Sequence, residues 1–94
     1  MPVTQGNRNG ANTFLDTQGL AMGPDKVLFG QVVLASCKVL NTSMPSASPA
    51  GYWYRIASPP WHNRYYAVSN TFTNGDDLGD PSGSTPVDPA VPDC

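Results

Sequence analysis

Seven of the nine aromatic residues fall between Tyr52 and Phe72, and Pro59-Pro60 splits that block in two. Before the split, Tyr52-Trp-Tyr-Arg-Ile56 alternates with period two, so Trp53 and Arg55 share one side and Tyr52, Tyr54 and Ile56 the other. Proline lacks the backbone donor that a strand ladder needs, so Ser58-Pro-Pro60 ends this strand. Trp61-His-Asn63 then reads as a turn, and Arg64 to Ser69 resumes an extended segment. Rings packed this densely serve either a compact core or a ligand platform, and the block also carries the single histidine and two arginines.

The rest of the chain points the same way. It has nine glycines, ten prolines and no glutamate among its 94 residues, a composition poor for helices and natural for short strands and turns. That length is one domain with a modest core. A net charge of -2 leaves no basic stripe to neutralise phosphates, so no nucleic-acid partner is expected. The longest apolar run, Val32 to Ala35, is far too short to span a bilayer, and no membrane insertion is expected.

Cys37 and Cys94 form an even count without metal-like spacing, which favours one disulfide over a zinc site; two reduced thiols are the alternative. A bridge would give the proline-rich tail an anchor and implies an extracellular or cell-surface location. The first residues lack the charged and apolar regions of a signal peptide, so a leader or larger upstream region is expected outside this chain.

Residues 1–10 are polar and glycine-rich and read as a flexible N-terminal arm, with the folded domain spanning 11–94. Ala11 to Asp16 is a candidate first strand, followed by a turn-rich loop over Thr17 to Asp25. From Val27 to Leu40 the pattern places Val33, Ala35, Cys37 and Val39 on one face and Val32, Leu34, Ser36 and Lys38 on the other. Because that second face is half apolar, either both faces are covered or an oligomer hides Val32 and Leu34. Asn41 to Gly51 reads as a surface loop, and Thr85-Pro-Val87 as a possible last strand.

Gly30-Gln-Val-Val-Leu-Ala-Ser-Cys-Lys-Val39, Tyr52-Trp-Tyr-Arg-Ile-Ala-Ser58, Trp61-His-Asn63, Tyr65-Tyr66 and the ending Thr85 to Cys94 together resemble, in order and spacing, the bacterial SH3-like (SH3b-type) domains of secreted proteins from high-GC Gram-positive bacteria. The resemblance covers roughly residues 11–94 and departs from the pattern at Pro59-Pro60 and over Asn41 to Gly51. It implies an all-β, SH3-like, partly open barrel of five to seven short strands. It also implies an aromatic-lined groove that binds cell-wall peptide or glycan, or another extended ligand such as a protein segment.

Within that frame Trp53 is expected in the core, while Trp61 is either folded back as a lid or exposed for stacking. Of Tyr65 and Tyr66, which face opposite sides, one is expected in the core and one available. The expected ligand-binding residues are Tyr54, Trp61 and Tyr66 for stacking, with His62 and Arg64 fixing orientation. Arg55 and Arg64 suit a ligand carboxylate, or equally a surface ion pair. No nucleophile or metal motif accompanies His62, so no catalytic residues, metal site or cofactor are expected and the chain reads as noncatalytic. The aspartates of the tail read as solvated turn residues.

Overall fold

A computed structural model describes residues 1–17, 23, 25–43, 51–73 and 87–94. Its strands are β1 (Pro2–Gln5), β2 (Val32–Leu40), β3 (Tyr52–Ile56), β4 (Tyr65–Val68) and the two-residue β5 (Phe72–Thr73), with a 3-10 turn over Ser69–Thr71. All pairings are antiparallel, in the order β4-β3-β2-β1-β5. The fold is therefore all-β, with four strands of four or more residues and a short fifth at one edge.

β4 and β5 lie at opposite ends of this order, yet only three residues join them. A flat sheet would hold them about 19 Å apart, whereas three residues of 3-10 helix rise only about 6 Å. The sheet is accordingly curled, and it remains open because β4 and β5 do not pair. Val3, Val33, Ala35, Tyr54, Ile56, Ala67 and Phe72 fill its concave side, joined by Ala11, Val27, Trp61 and Val91 from the connecting segments.

The N-terminal segment is not an arm. β1 lies between β2 and β5, and Val3 is completely buried. Backbone bonds set this position: the Ala35 amide donates to Met1 O at 2.8 Å, Gln5 N to Gln31 O at 2.9 Å and Gly6 N to Thr71 O at 2.8 Å. Backbone donors are the same for every residue type except proline, so a polar stretch can supply a central strand. Conversely, the strand expected over Ala11 to Asp16 is reduced to two isolated bridges, Ala11 with Val27 and Phe14 with Tyr66.

β2 keeps the expected alternation through Ala35 and then changes face. Its register with β3 runs Ala35 to Ile56, then Cys37 to Arg55, with a bulge at the intervening Ser36. An extra residue in one strand turns everything after it to the opposite side. Cys37 and Val39 therefore leave the face of Val33 and Ala35, and Lys38 turns toward the side of Tyr54. The other face of the first half carries Val32 and Leu34, where the alternation places them, and both are exposed in the single chain, so no other part of the described chain covers them.

The long edge of β2 is shared. β1 pairs with Val32 to Leu34, and further along Lys38 accepts from Cys94 N at 3.0 Å and donates to Pro92 O at 2.7 Å. A disulfide joins Cys37 to Cys94, with Cα atoms 4.8 Å apart. Of the last strand expected at 85–87, Val87 is outside any strand and the other two residues lie outside the described residues. Most of the expected loops at 17–25 and 41–51 lies outside them too.

Candidate functional site

The groove expected from Tyr54, Trp61, His62, Arg64 and Tyr66 does not assemble. Tyr54 pairs with Ala67, and Tyr66 with Arg55, so the two tyrosines face opposite sides of the sheet. Tyr54 is completely buried; its hydroxyl accepts from Asp88 N at 2.6 Å, and burial pushes its phenol up to about 12. It therefore stays protonated near neutrality and acts as an internal strut.

Trp61 takes the lid alternative and closes over the core. Its backbone amide donates to Ser58 O at 2.9 Å, Asn63 N donates to Ile56 O at 2.8 Å, and His62 and Asn63 adopt left-handed φ of 50° and 61°. This tight turn swings the indole inward, where it is 1% exposed and its N–H donates to Asp25 O at 3.1 Å. His62 and Arg64 are left exposed on the outside of the same turn, away from any aromatic groove that Trp61 could line.

A different aromatic surface forms on the convex side. Phe14, Tyr66, Arg55 and Cys37 are successive cross-strand neighbours, and Val68, Trp53 and Val39 form a second row. Phe14, Tyr66, Arg55, Val68 and Val39 are partly exposed; Trp53 beneath them is fully buried, capped by the Phe14 ring edge-on at 6.0 Å. Both sides of β3 are thus covered, not one. Arg55 is held by its Nε–H to Ser36 Oγ at 3.3 Å, and Ser36 Oγ donates to Arg55 O at 3.2 Å, so the bulge also orients the guanidinium. The terminal NH2 groups lie outside that bond and present a planar donor pair.

Beside this row lies a cleft of about 250 Å³, lined by Gly10, Ala11, Asn12, Phe14, Val68 and Thr71. Elsewhere among the described residues the buried Trp53 indole N–H, under the Phe14 ring, and Asn70 Oδ1 have no hydrogen-bond partner. Such unpaired polar atoms are costly in a folded interior. A second depression, about 340 Å³, lies at Lys38, Leu40, Tyr52, Asp93 and the disulfide, where Lys38 is paired with Asp93 at 3.3 Å.

Sequence reasoning placed Tyr66 on the accessible surface but missed Phe14. Phe14 was marked only by being a lone ring in a polar stretch, and nothing local announces that it crosses to β4. Among the described residues no group of histidine, cysteine and carboxylate side chains is placed to hold a metal. No family model, no curated protein and no solved structure matches the chain.

Proposed function

We propose that this protein is a noncatalytic module of a secreted protein, an SH3-like, partly open barrel that docks an extended cell-wall peptide or glycan. The docking surface in this reading is the convex row Phe14, Tyr66 and Arg55. The observation that carries it is that row itself: two partly exposed rings and a tethered guanidinium on three adjacent chain segments, beside a small cleft. Rings stack on sugars or proline faces, and the fixed fork takes a carboxylate or carbonyl. The curled five-strand order supports the barrel, and the disulfide is compatible with an extracellular location. No helix among the described residues is long and apolar enough to cross a membrane.

The test is sedimentation of the oxidised protein with insoluble cell-wall sacculi, with Tyr66→Ala alongside. Loss of one partly exposed ring should weaken retention about tenfold, equivalent to about 1.4 kcal/mol, without unfolding the domain. Absence of retention for the parent protein refutes the wall-binding reading.

A second reading is that the module joins subunits of an extracellular assembly. It is favoured by Leu28, Phe29, Val32 and Leu34, exposed at 63%, 50%, 54% and 50%. Leu28 and Phe29 sit on a tight turn closed by Gln31 N donating to Leu28 O at 2.9 Å, which Gly30 permits with φ of 80°. The turn projects apolar side chains instead of folding them inward, as an interface would need.

A further inference from the structure

We infer that Arg55 is a carboxylate subsite, which takes the free terminal carboxylate of an extended peptide laid across Tyr66 and Phe14. The inference rests on the docking reading above and narrows its ligand to a peptide with an unblocked end. Among the five lysine and arginine side chains, Arg8, Lys26 and Arg64 are exposed, and Lys38 is paired with Asp93 at 3.3 Å. Arg55 is half-buried and has no ion-pair partner among the described residues. A cation drawn partly out of water and left unpaired carries a desolvation cost that an anion offsets.

The placement of Arg55 selects the anion. Its Nε–H is already given to Ser36 Oγ at 3.3 Å, so the two terminal NH2 groups remain, and their end-on fork matches the two oxygens of one carboxylate. A neutral carbonyl or a sugar hydroxyl accepts from the fork without compensating its charge, so a plain glycan fits less well. A phosphodiester compensates the charge but has no apolar group to lay on the neighbouring rings. Tyr66 is the direct cross-strand neighbour of Arg55, and Phe14 that of Tyr66. Two strand spacings of about 4.8 Å put Phe14 about 10 Å from Arg55, the length of about three extended residues at about 3.3 Å each. Beyond Arg55 the row is closed, because its next member, Cys37, is bonded to Cys94. A peptide running from Phe14 to Arg55 therefore ends there, and a chain end supplies the carboxylate.

The experiment titrates the oxidised, nitrogen-labelled protein and follows the Arg55 Nε–H and Tyr66 backbone N–H resonances by NMR. The probes are N-acetyl-trialanine with a free carboxylate, its carboxamide, an N-acetyl-Ala-Asp-Ala carboxamide whose carboxylate is internal, cellotetraose, and glycerol 3-phosphate. Expected is a saturable shift of both resonances with the free acid, and at least tenfold weaker binding of every other probe. Arg55→Gln should weaken binding of the free acid at least tenfold, read at Tyr66, while the indole resonances of the buried Trp53 and Trp61 stay in place and show the fold intact. The comparison of acid with carboxamide uses the parent protein, so it decides even if the variant fails to fold. The inference is overturned if any other probe binds as tightly as the free acid, if Arg55→Gln folds and binds the acid unchanged, or if no probe moves the Arg55 resonance. Retention of the parent on sacculi with equal affinity for acid and carboxamide would remove the carboxylate subsite and leave the docking reading standing; failure of both assays removes both.

Discussion

Ala35 and Cys37 point to opposite sides of the sheet although only the bulged Ser36 separates them. The C-terminal segment is consequently clamped from both faces of β2. On one face Cys37 is bonded to Cys94; on the other the Lys38 ammonium reaches Val91 O and Asp93. Between them Val91 is driven into the core with no exposure.

Reduction of this bridge should therefore be costly. For ends 57 positions apart in sequence, the chain-entropy argument gives about 4 kcal/mol of stabilisation. That is comparable with the total stability of a small domain. Urea unfolding with and without reductant should show the loss as a large fall in midpoint. Lys38→Met should cost much less, about 1 kcal/mol or below, because its partner Asp93 is 84% exposed.

Tyr54 imposes a pH dependence. Its folded-state value of about 12 stands above the ordinary 10.0, chiefly through burial, with the Asp88 carboxylate adding to the rise and the Asp88 amide opposing it. Below pH 10 both folded and unfolded states hold the proton and its contribution is intact. Between 10 and 12 the unfolded chain releases the proton first, so stability falls as pH rises, by about 2–3 kcal/mol at most. Tyr54→Phe should lose about 1–3 kcal/mol at neutral pH, since Asp88 N is left unpaired. It should also show a shallower decline than the parent above pH 10 when urea midpoints are compared.

The turn after β3 separates structural from surface residues within four positions. Trp61→Ala should destabilise by about 3–5 kcal/mol, because the indole is a plug in the core. His62→Ala and Arg64→Ala should stay within about 0.5 kcal/mol of the parent. Thermal or urea unfolding of the three variants checks the contrast. Equal effects would place the ring outside the core.

Leu34→Lys probes the exposed apolar face. The side chain points outward opposite the exposed Pro2, so the folded monomer should change by less than about 0.5 kcal/mol. Light scattering should find any discrete oligomer of the parent dissolved in this variant. A monomeric parent at all concentrations rejects the assembly reading.

The strands around Val33 and Trp53 were legible because side-chain alternation is a local signal, and the pairing of Cys37 with Cys94 because two cysteines leave one intramolecular choice. β1 was not legible: its place depends on backbone groups and on β5, far away in sequence, more than on Pro2-Val-Thr-Gln5 itself. The bulge at Ser36 was equally hidden, and it moved Cys37 and Val39 off the expected face. The candidate surface was readable only through Tyr66. Tyr54 and Trp61 looked like groove residues because composition identifies rings, whereas register and turn geometry decide which side they occupy.

The shared edge of β2 brings the two ends of the chain together. Met1 O is bonded to the Ala35 amide and Cys94 N to Lys38 O, three residues along one strand and hence about 10 Å. A short peptide would bridge that gap, so the domain is a natural subject for circular permutation, with new ends opened at the Leu28–Gln31 turn. Spliced into a longer polypeptide, it would hang from the main path like a pendant, with tension between its ends carried by a few bonds of one strand and the cystine beside them.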